Sequence, residues 1–292
     1  MDRPLARTEI NIRNILFATD FSLGSMHALP YATALARTFH SKLSLAQVVV
    51  PDDYPSGFNL QEETAHAACR EAERRMRALL ASAAFAGLAC DCAITHGDTW
   101  IGLSTFLDRY NTDLLVMGTV GRTSARKFLL GSVAEEAMRQ SPCPVFTVGP
   151  MTSSTEPVRL CNLLYATDFS AESLAALPYA FAFAEQCSSH ITLLHAIESL
   201  TEEPYLNAHM LRLRLGELAQ GTDLRVTPET LVEMGSPGDV IVQAAERTQA
   251  DLVVIGARGA GAIARLSTHF GSIAHRVVTH ARCPVLTVRR FP

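Results

Sequence analysis

The sequence predicts an α/β protein built from two copies of one domain, each a parallel sheet with helices on both faces. Three observations carry this. The chain repeats itself: Ile15-Leu16-Phe17-Ala18-Thr19-Asp20-Phe21-Ser22 returns as Leu163-Leu164-Tyr165-Ala166-Thr167-Asp168-Phe169-Ser170, and Ala28-Leu29-Pro30-Tyr31-Ala32 returns as Ala176-Leu177-Pro178-Tyr179-Ala180 at the same separation. Asp113 to Gly118 and Cys143-Pro144-Val145 return as Asp251 to Gly256 and Cys283-Pro284-Val285. Here copy two has lost about ten residues in its middle and regained two after Gly256. A repeat this long is a duplicated domain rather than a solenoid unit. Second, short apolar runs alternate with amphipathic stretches, and parallel strands need such helical crossovers. Third, a glycine-punctuated loop follows the fourth apolar run of each copy.

The elements follow in order. In copy one, Asn14 to Ala18 is a short apolar run that reads as a buried strand. Ser25 to Phe39 has helical spacing, with an irregularity expected at Pro30. Leu43 to Val50 is a second, β-branched strand, and Pro51 to Phe58 is loop. Leu60 to Ala86 reads as one long Ala-rich helix with Glu71, Glu73, Arg74, Arg75 and Arg77 on an outer face. A strand over Leu88–Thr95, a helix over Thr99–Tyr110, a strand over Asp113–Met117, a helix from Ser132 to Arg139 and a last strand over Val145–Val148 complete the copy. Copy two repeats the pattern, with strands near 162–166, 191–197, 224–232, 251–255 and 285–288 and a shorter second helix at roughly 205–219. The domains are expected at residues 1–150 and 158–292, joined by a linker from Gly149 to Pro157.

Composition narrows the function. The 292 residues are 48% hydrophobic and 18% charged, which suits two globular domains with full cores. No apolar run reaches the length of a membrane span, and the first residues lack an apolar signal core, so a cytoplasmic protein is expected, with no membrane partner. A net charge of −4 argues against nucleic acid as a partner. The seven cysteines are odd in number and form no disulfide framework. Cys143 and Cys283, each before Pro and an apolar run, read as buried thiols. Cys90 and Cys92 share one face of a strand. A zinc site there would need a second Cys/His pair at ligand spacing, and none follows.

In an open sheet of this kind, ligands sit at the carboxyl ends of strands where the strand order switches. That directs attention to Thr19-Asp20 and Gly118 onward, and to Thr167-Asp168 and Gly256 onward. Copy one reads Gly118-x2-Gly121-x9-Gly131-Ser132. Glycines let backbone approach a ligand. Gly131-Ser132 opens a helix, whose first N–H groups and dipole attract an anion. Arg122, Arg126 and Lys127 add positive charge. Taken singly, these glycines would be read as turn formers. The whole spacing after a buried strand favours a phosphate cradle, although it matches neither the P-loop nor the dinucleotide fingerprint.

The Ala-Thr-Asp-Phe-Ser start, this loop and the Pro-Cys-Pro-Val ending together resemble the universal stress protein family across nearly the whole chain, as a tandem two-domain member. The resemblance implies Rossmann-like domains related to the adenine nucleotide α-hydrolases, each with a five-stranded parallel sheet. Many members of the family bind ATP while a branch lacking the loop motif does not, so ATP is the expected ligand, with Mg²⁺ as its companion ion. Carried over residue by residue, it implies that Asp20 and Ala18 flank the nucleoside and that the Val48 backbone faces adenine. Gly118, Gly121 and Arg122 would form the triphosphate loop, and Gly131, Ser132 and Val133 would donate to phosphate. Other readings of two of these residues stay open: Asp20 as a turn or cap residue, with Ser22 able to take the cap, and Val48 as core. Copy two keeps Asp168, Gly256, Gly259, Gly271 and Ser272. However, its loop has eleven residues between Gly259 and Gly271 with one basic residue, and Ala196 stands for Val48. Weak ATP binding, another anion and a structural relic are all open there.

The ten histidines scatter without a metal-ligand spacing. His195 reads as a satisfied near-core residue, while His96, before Gly97, and His269 are candidates to approach a ligand. No nucleophile or general-base constellation is present. The leading expectation is an ATP-binding stress-response or regulatory module. The alternatives are a slow nucleotide hydrolase or transferase of the same fold group and a nucleotide-free interaction scaffold. Val145–Val148 and Val285–Val288, short β-rich strands ending their domains, are expected to pair antiparallel as an intramolecular pseudo-dimer, with a homodimer of such pairs as a further level.

Overall fold

The computed structural model describes residues 10–50, 58–121, 130–152, 157–198, 204–220, 224, 227–257 and 272–290. Two compact units are present, one of Ile12–Pro150 and one built on Met151–Pro292. In the first, β1 (Asn14–Ala18) leads through α1 (Leu23–Met26) and α2 (Leu29–Thr38) to β2 (Lys42–Val49). Next come α3 (Phe58–Leu80), a 3-10 turn (Ala83–Phe85), β3 (Cys90–His96), α4 (Thr99–Arg109), β4 (Leu114–Gly118), α5 (Ser132–Gln140) and β5 (Val145–Val148). The order across this sheet is β3-β2-β1-β4-β5, and every pairing is parallel. β4 is buried along its whole length and β1 along its middle, because helices cover both faces of the central strands. β3, at the edge, is half-exposed. Phe17, Leu35, Leu43, Leu45, Met76 and Leu107 are fully enclosed in the core.

The second unit repeats the plan with β6 (Asn162–Ala166), α6 (Ala171–Leu174), α7 (Leu177–Cys187), β7 (His190–Ile197), α8 (Pro204–Glu217), β8 (Glu229–Met234), α9 (Pro237–Arg247), β9 (Leu252–Gly256), α10 (Ser272–His280) and β10 (Val285–Val288). Its order is β10-β9-β6-β7-β8, again parallel throughout. Each switch point, where the chain leaves the first strand on one side and the fourth on the other, lies between β1 and β4 and between β6 and β9. Among the described residues, no helix is long and apolar enough to cross a membrane.

The duplication extends to individual bonds. Asp113 Oδ2 accepts the backbone N–H groups of Arg13 and Asn14, both at 2.9 Å, fastening the entry of β4 to that of β1. Asp251 does the same for Cys161 and Asn162, at 2.8 and 2.9 Å. The left-handed residues also recur: Phe21, His40 and Asn111 in the first unit match Phe169, Ser188 and Gln249 in the second. A non-glycine residue in this region carries a conformational cost. Its recurrence at three equivalent places shows that the surrounding fold imposes it.

Several boundaries differ from the sequence expectation. The helix expected over Ser25–Phe39 is split, and Pro30 stands in the first turn of the second piece, where its missing N–H costs nothing. The long helix expected to reach Ala86 ends at Leu80. A 3-10 turn then buries Phe85, and Gly87 takes φ +77° to start the descent into β3. The third strand of copy two is Glu229–Met234, later than the expected 224–232.

Candidate functional site

The loop leaving β1 is held by its own hydroxyls. Thr19 Oγ1 accepts the Phe21 N–H at 3.0 Å and lies 3.0 Å from Ser25 Oγ. Asp20 Oδ1 accepts the Ser22 N–H at 2.9 Å, and Ser22 Oγ caps α1 by accepting the Ser25 N–H at 3.1 Å. Ser22 is therefore the cap, and Asp20 closes the turn before it with one oxygen. Phe21, at φ 58°, lies under the Arg75 guanidinium, 4.3 Å from its ring centre. Such a cation–π contact stabilises the turn at the rim of the site. Sequence reasoning missed this turn, because nothing in the residue types announces a left-handed phenylalanine.

Three of the expected loop glycines have separate geometric reasons. A Cβ on Gly118 would run into the backbone of Gly24 and Ser25, so this glycine seats α1 against the end of β4 rather than forming a turn. At Gly121 a Cβ would stand 3.0 Å from Asp20 Oδ2, which brings the two ends of the switch point together. At Gly131 a Cβ would stand 3.1 Å from the Thr119 carbonyl oxygen, which already accepts the Gly131 N–H at 2.8 Å. Gly131 is the N-cap of α5, and the first intrahelical bond runs from the Glu135 N–H to its carbonyl. The donors that the helix start can offer a ligand are thus those of Ser132, Val133 and Ala134, not that of Gly131.

These elements enclose a cavity of about 340 Å³ above the carboxyl ends of β1, β2 and β4. Ala18, Asp20, Val48, Gly118, Gly121, Gly131, Ser132 and Val133 all line it. Arg122, the remaining candidate of copy one, lies outside the described residues. One end is mostly apolar, walled by Ala46, Val48, Val49, Val50 and Leu103, with Gln47 and Thr99 among them. Val48 is half-buried, and its methyl groups fill the space a Cβ on Gly102 of α4 would need, so it contributes to packing and to the cavity wall at once. The other end is formed by the loop from Thr119 to Gly121 and the first turn of α5. An apolar slot joined to a backbone-amide cradle suits a ligand with a flat apolar part and an anionic part.

Copy two preserves part of this arrangement. Asp168 Oδ1 accepts the Ser170 N–H at 3.0 Å, and Thr167 Oγ1 accepts that of Phe169 at 2.9 Å. Arg214 covers Phe169 at 4.1 Å. Gly256 packs on the backbone of Glu172 and Ser173 just as Gly118 packs on Gly24 and Ser25. Gly259 and Gly271 lie outside the described residues; Ser272 begins α10. His195 donates from Nδ1 to the Thr167 carbonyl at 2.8 Å and its ring lies 4.8 Å from that of Phe169, so it is a satisfied structural residue. His96 ends β3 beside His66, with ring centres 6.1 Å apart, and is not among the residues lining the cavity. His269 lies outside the described residues.

All seven cysteines are free thiols. Burial pushes Cys143 up to about 11 and Cys283 up to about 12, so both are inert neutral thiols. Burial also raises Cys90 and Cys92, and no His/Cys/Asp/Glu cluster able to hold a metal occurs among the described residues.

Comparison with known proteins agrees with this architecture. The family model described as "Universal stress protein family" matches residues 11–149 and again 161–289. A universal stress protein from Thermus aquaticus is 34% identical over 136 residues, covering 44% of this chain and 98% of that protein. One from Mycobacterium tuberculosis is 30% identical over 185 residues, covering 60% of this chain and 61% of its own length. The crystal structure of a universal stress protein from Archaeoglobus fulgidus shares the fold, with a TM-score of 0.75 at 21% identity, covering 97% of this chain and 100% of that one. Two matches to one family model, each spanning a complete α/β unit with the Thr-Asp-Phe-Ser turn at its switch point, show that the chain belongs to the universal stress protein family.

Proposed function

We propose that copy one binds ATP and that the chain acts as an ATP-binding stress-response or regulatory module rather than as a dedicated catalyst. The observation that carries this reading is the composition of one cavity. A mostly apolar slot at the end of β2 shares one cavity with Gly121, Ser132 and Val133, and the Asp20 carboxylate stands beside Gly121. Its volume of about 340 Å³ falls in the range of small-molecule sites. The apolar slot accepts a nucleobase by burial and stacking. On this reading Asp20 would accept from ribose hydroxyls, and the α5 N-terminus would complement phosphate charge. Among the described residues around the cavity no base–nucleophile pair occurs, which favours retention of the nucleotide over rapid turnover.

Calorimetric titration with ATP and Mg²⁺, paired with a phosphate-release assay, tests the reading. Saturable binding with negligible turnover is expected. Rapid, repeated turnover would instead favour a nucleotide hydrolase of the same fold group, and no binding would favour a nucleotide-free scaffold.

A further inference from the structure

We propose that Gly24 is a positioning residue: having no Cβ, it lets the Val120 carbonyl pack against α1 and so holds Val120 and Gly121 where they line the copy-one cavity. Its consequence for ATP affinity rests on the nucleotide reading above. Gly24 and Glu172 are equivalent by contact as well as by sequence. Gly118 seats on the backbone of Gly24 and Ser25, and Gly256 seats on that of Glu172 and Ser173. The short helices α1 and α6 therefore dock on their fourth strands in the same way.

Gly24 meets a second neighbour on its other side. A Cβ there would overlap the Val120 carbonyl oxygen and stand 3.1 Å from the carbonyl carbon. Both atoms are backbone, so no rotamer change relieves the overlap, and the loop itself would have to move. Gly24 lies within helix α1 and has no left-handed φ, so its conformation does not call for glycine, whereas the close approach of Val120 does.

The displacement could not be spread back toward β4. Thr119 is fixed by its N–H to the Val148 carbonyl at 3.0 Å and by its carbonyl to the Gly131 N–H at 2.8 Å. Movement would fall on Val120 and Gly121, which both line the cavity, Gly121 also standing against Asp20. A glutamate at this place, as copy two carries at Glu172, would add a negative charge to the same bulk.

The full chain carrying Gly24→Ala or Gly24→Glu tests this, with two readouts: amide hydrogen exchange at Val120 and Gly121 without nucleotide, and ATP affinity by calorimetry. Both variants are expected to exchange faster at these amides. The alanine variant should bind ATP about tenfold more weakly through the displaced backbone alone, and the glutamate variant more weakly still because charge is added. Since alanine favours a helix over glycine, Gly24→Ala should keep the fold and its thermal stability, which circular dichroism checks. Wild-type exchange and wild-type affinity in Gly24→Ala would overturn the proposal. Should the unaltered chain bind no ATP, the nucleotide reading fails, and the exchange experiment still decides whether Gly24 seats the loop.

Discussion

Gly121 stands against the Asp20 carboxylate: a Cβ on the glycine would be 3.0 Å from Asp20 Oδ2. This contact joins the loop after β1 to the loop after β4, two segments about a hundred residues apart in sequence, at the switch point of the sheet. Gly121→Val should force the loop away from Asp20 and fill the cradle with methyl groups. ATP affinity is expected to fall by at least about tenfold, while the far-ultraviolet dichroism stays unchanged, because Gly121 is exposed and outside every helix and strand. Calorimetry reads the first effect and dichroism the second.

Ser132→Asp should separate binding from stability. Ser132 is the first residue of α5 and is exposed. An acidic side chain there complements the helix dipole, worth about 0.3–1 kcal/mol, so the melting temperature should hold or rise. The same charge repels phosphate, so ATP affinity should drop, and more steeply at low salt. Loss of both together would show that the serine is a folding determinant instead.

Much of this architecture was legible in the sequence. Asn14–Ala18 and Val145–Val148 coincide with β1 and β5, because short apolar runs bounded by polar residues have few other solutions in a doubly wound sheet. All the described copy-one candidates line one cavity, since glycine spacing after a buried strand reports where backbone must come close. What stayed hidden depended on partners far along the chain. The left-handed Phe21 is imposed by Thr19, Asp20 and Arg75. Gly118 serves packing against Gly24. The early end of α3 reflects the burial of Phe85, which residue-level helix propensity does not register.

Asp113 and Asp251 should be stability determinants despite lying at strand entries away from the cavity. Each accepts two backbone N–H groups from the first strand of its unit. Asp113→Ala leaves those donors without their acceptor and should destabilise the first unit by about 2 kcal/mol, from charge-assisted bonds worth about 1.5–3 kcal/mol. Chemical denaturation measures this. Affinity for ATP in the remaining folded protein should not change.

The buried thiols set an alkaline limit. Burial raises Cys143 from 9.0 to about 11 and Cys283 from 9.0 to about 12, so the folded state holds these protons more tightly than the unfolded chain. Their effect on stability is flat below pH 9. Stability then falls as pH rises through 9 toward 11 and 12, because only the unfolded chain ionises freely. Denaturation curves at pH 8 and pH 10.5 should show this loss, and Cys143→Ala should reduce it. At pH 8, iodoacetamide should modify exposed Cys161 well before either buried thiol.

The most direct test of nucleotide binding at copy one is native mass spectrometry of the gently purified chain and of its Gly121→Val variant, each equilibrated with ATP. The nucleotide reading leads us to expect at least one ATP retained per unaltered chain and one fewer in the variant. Retention of ATP by the variant at the level of the unaltered chain, or absence of ATP from both, would contradict the assignment of the copy-one cavity.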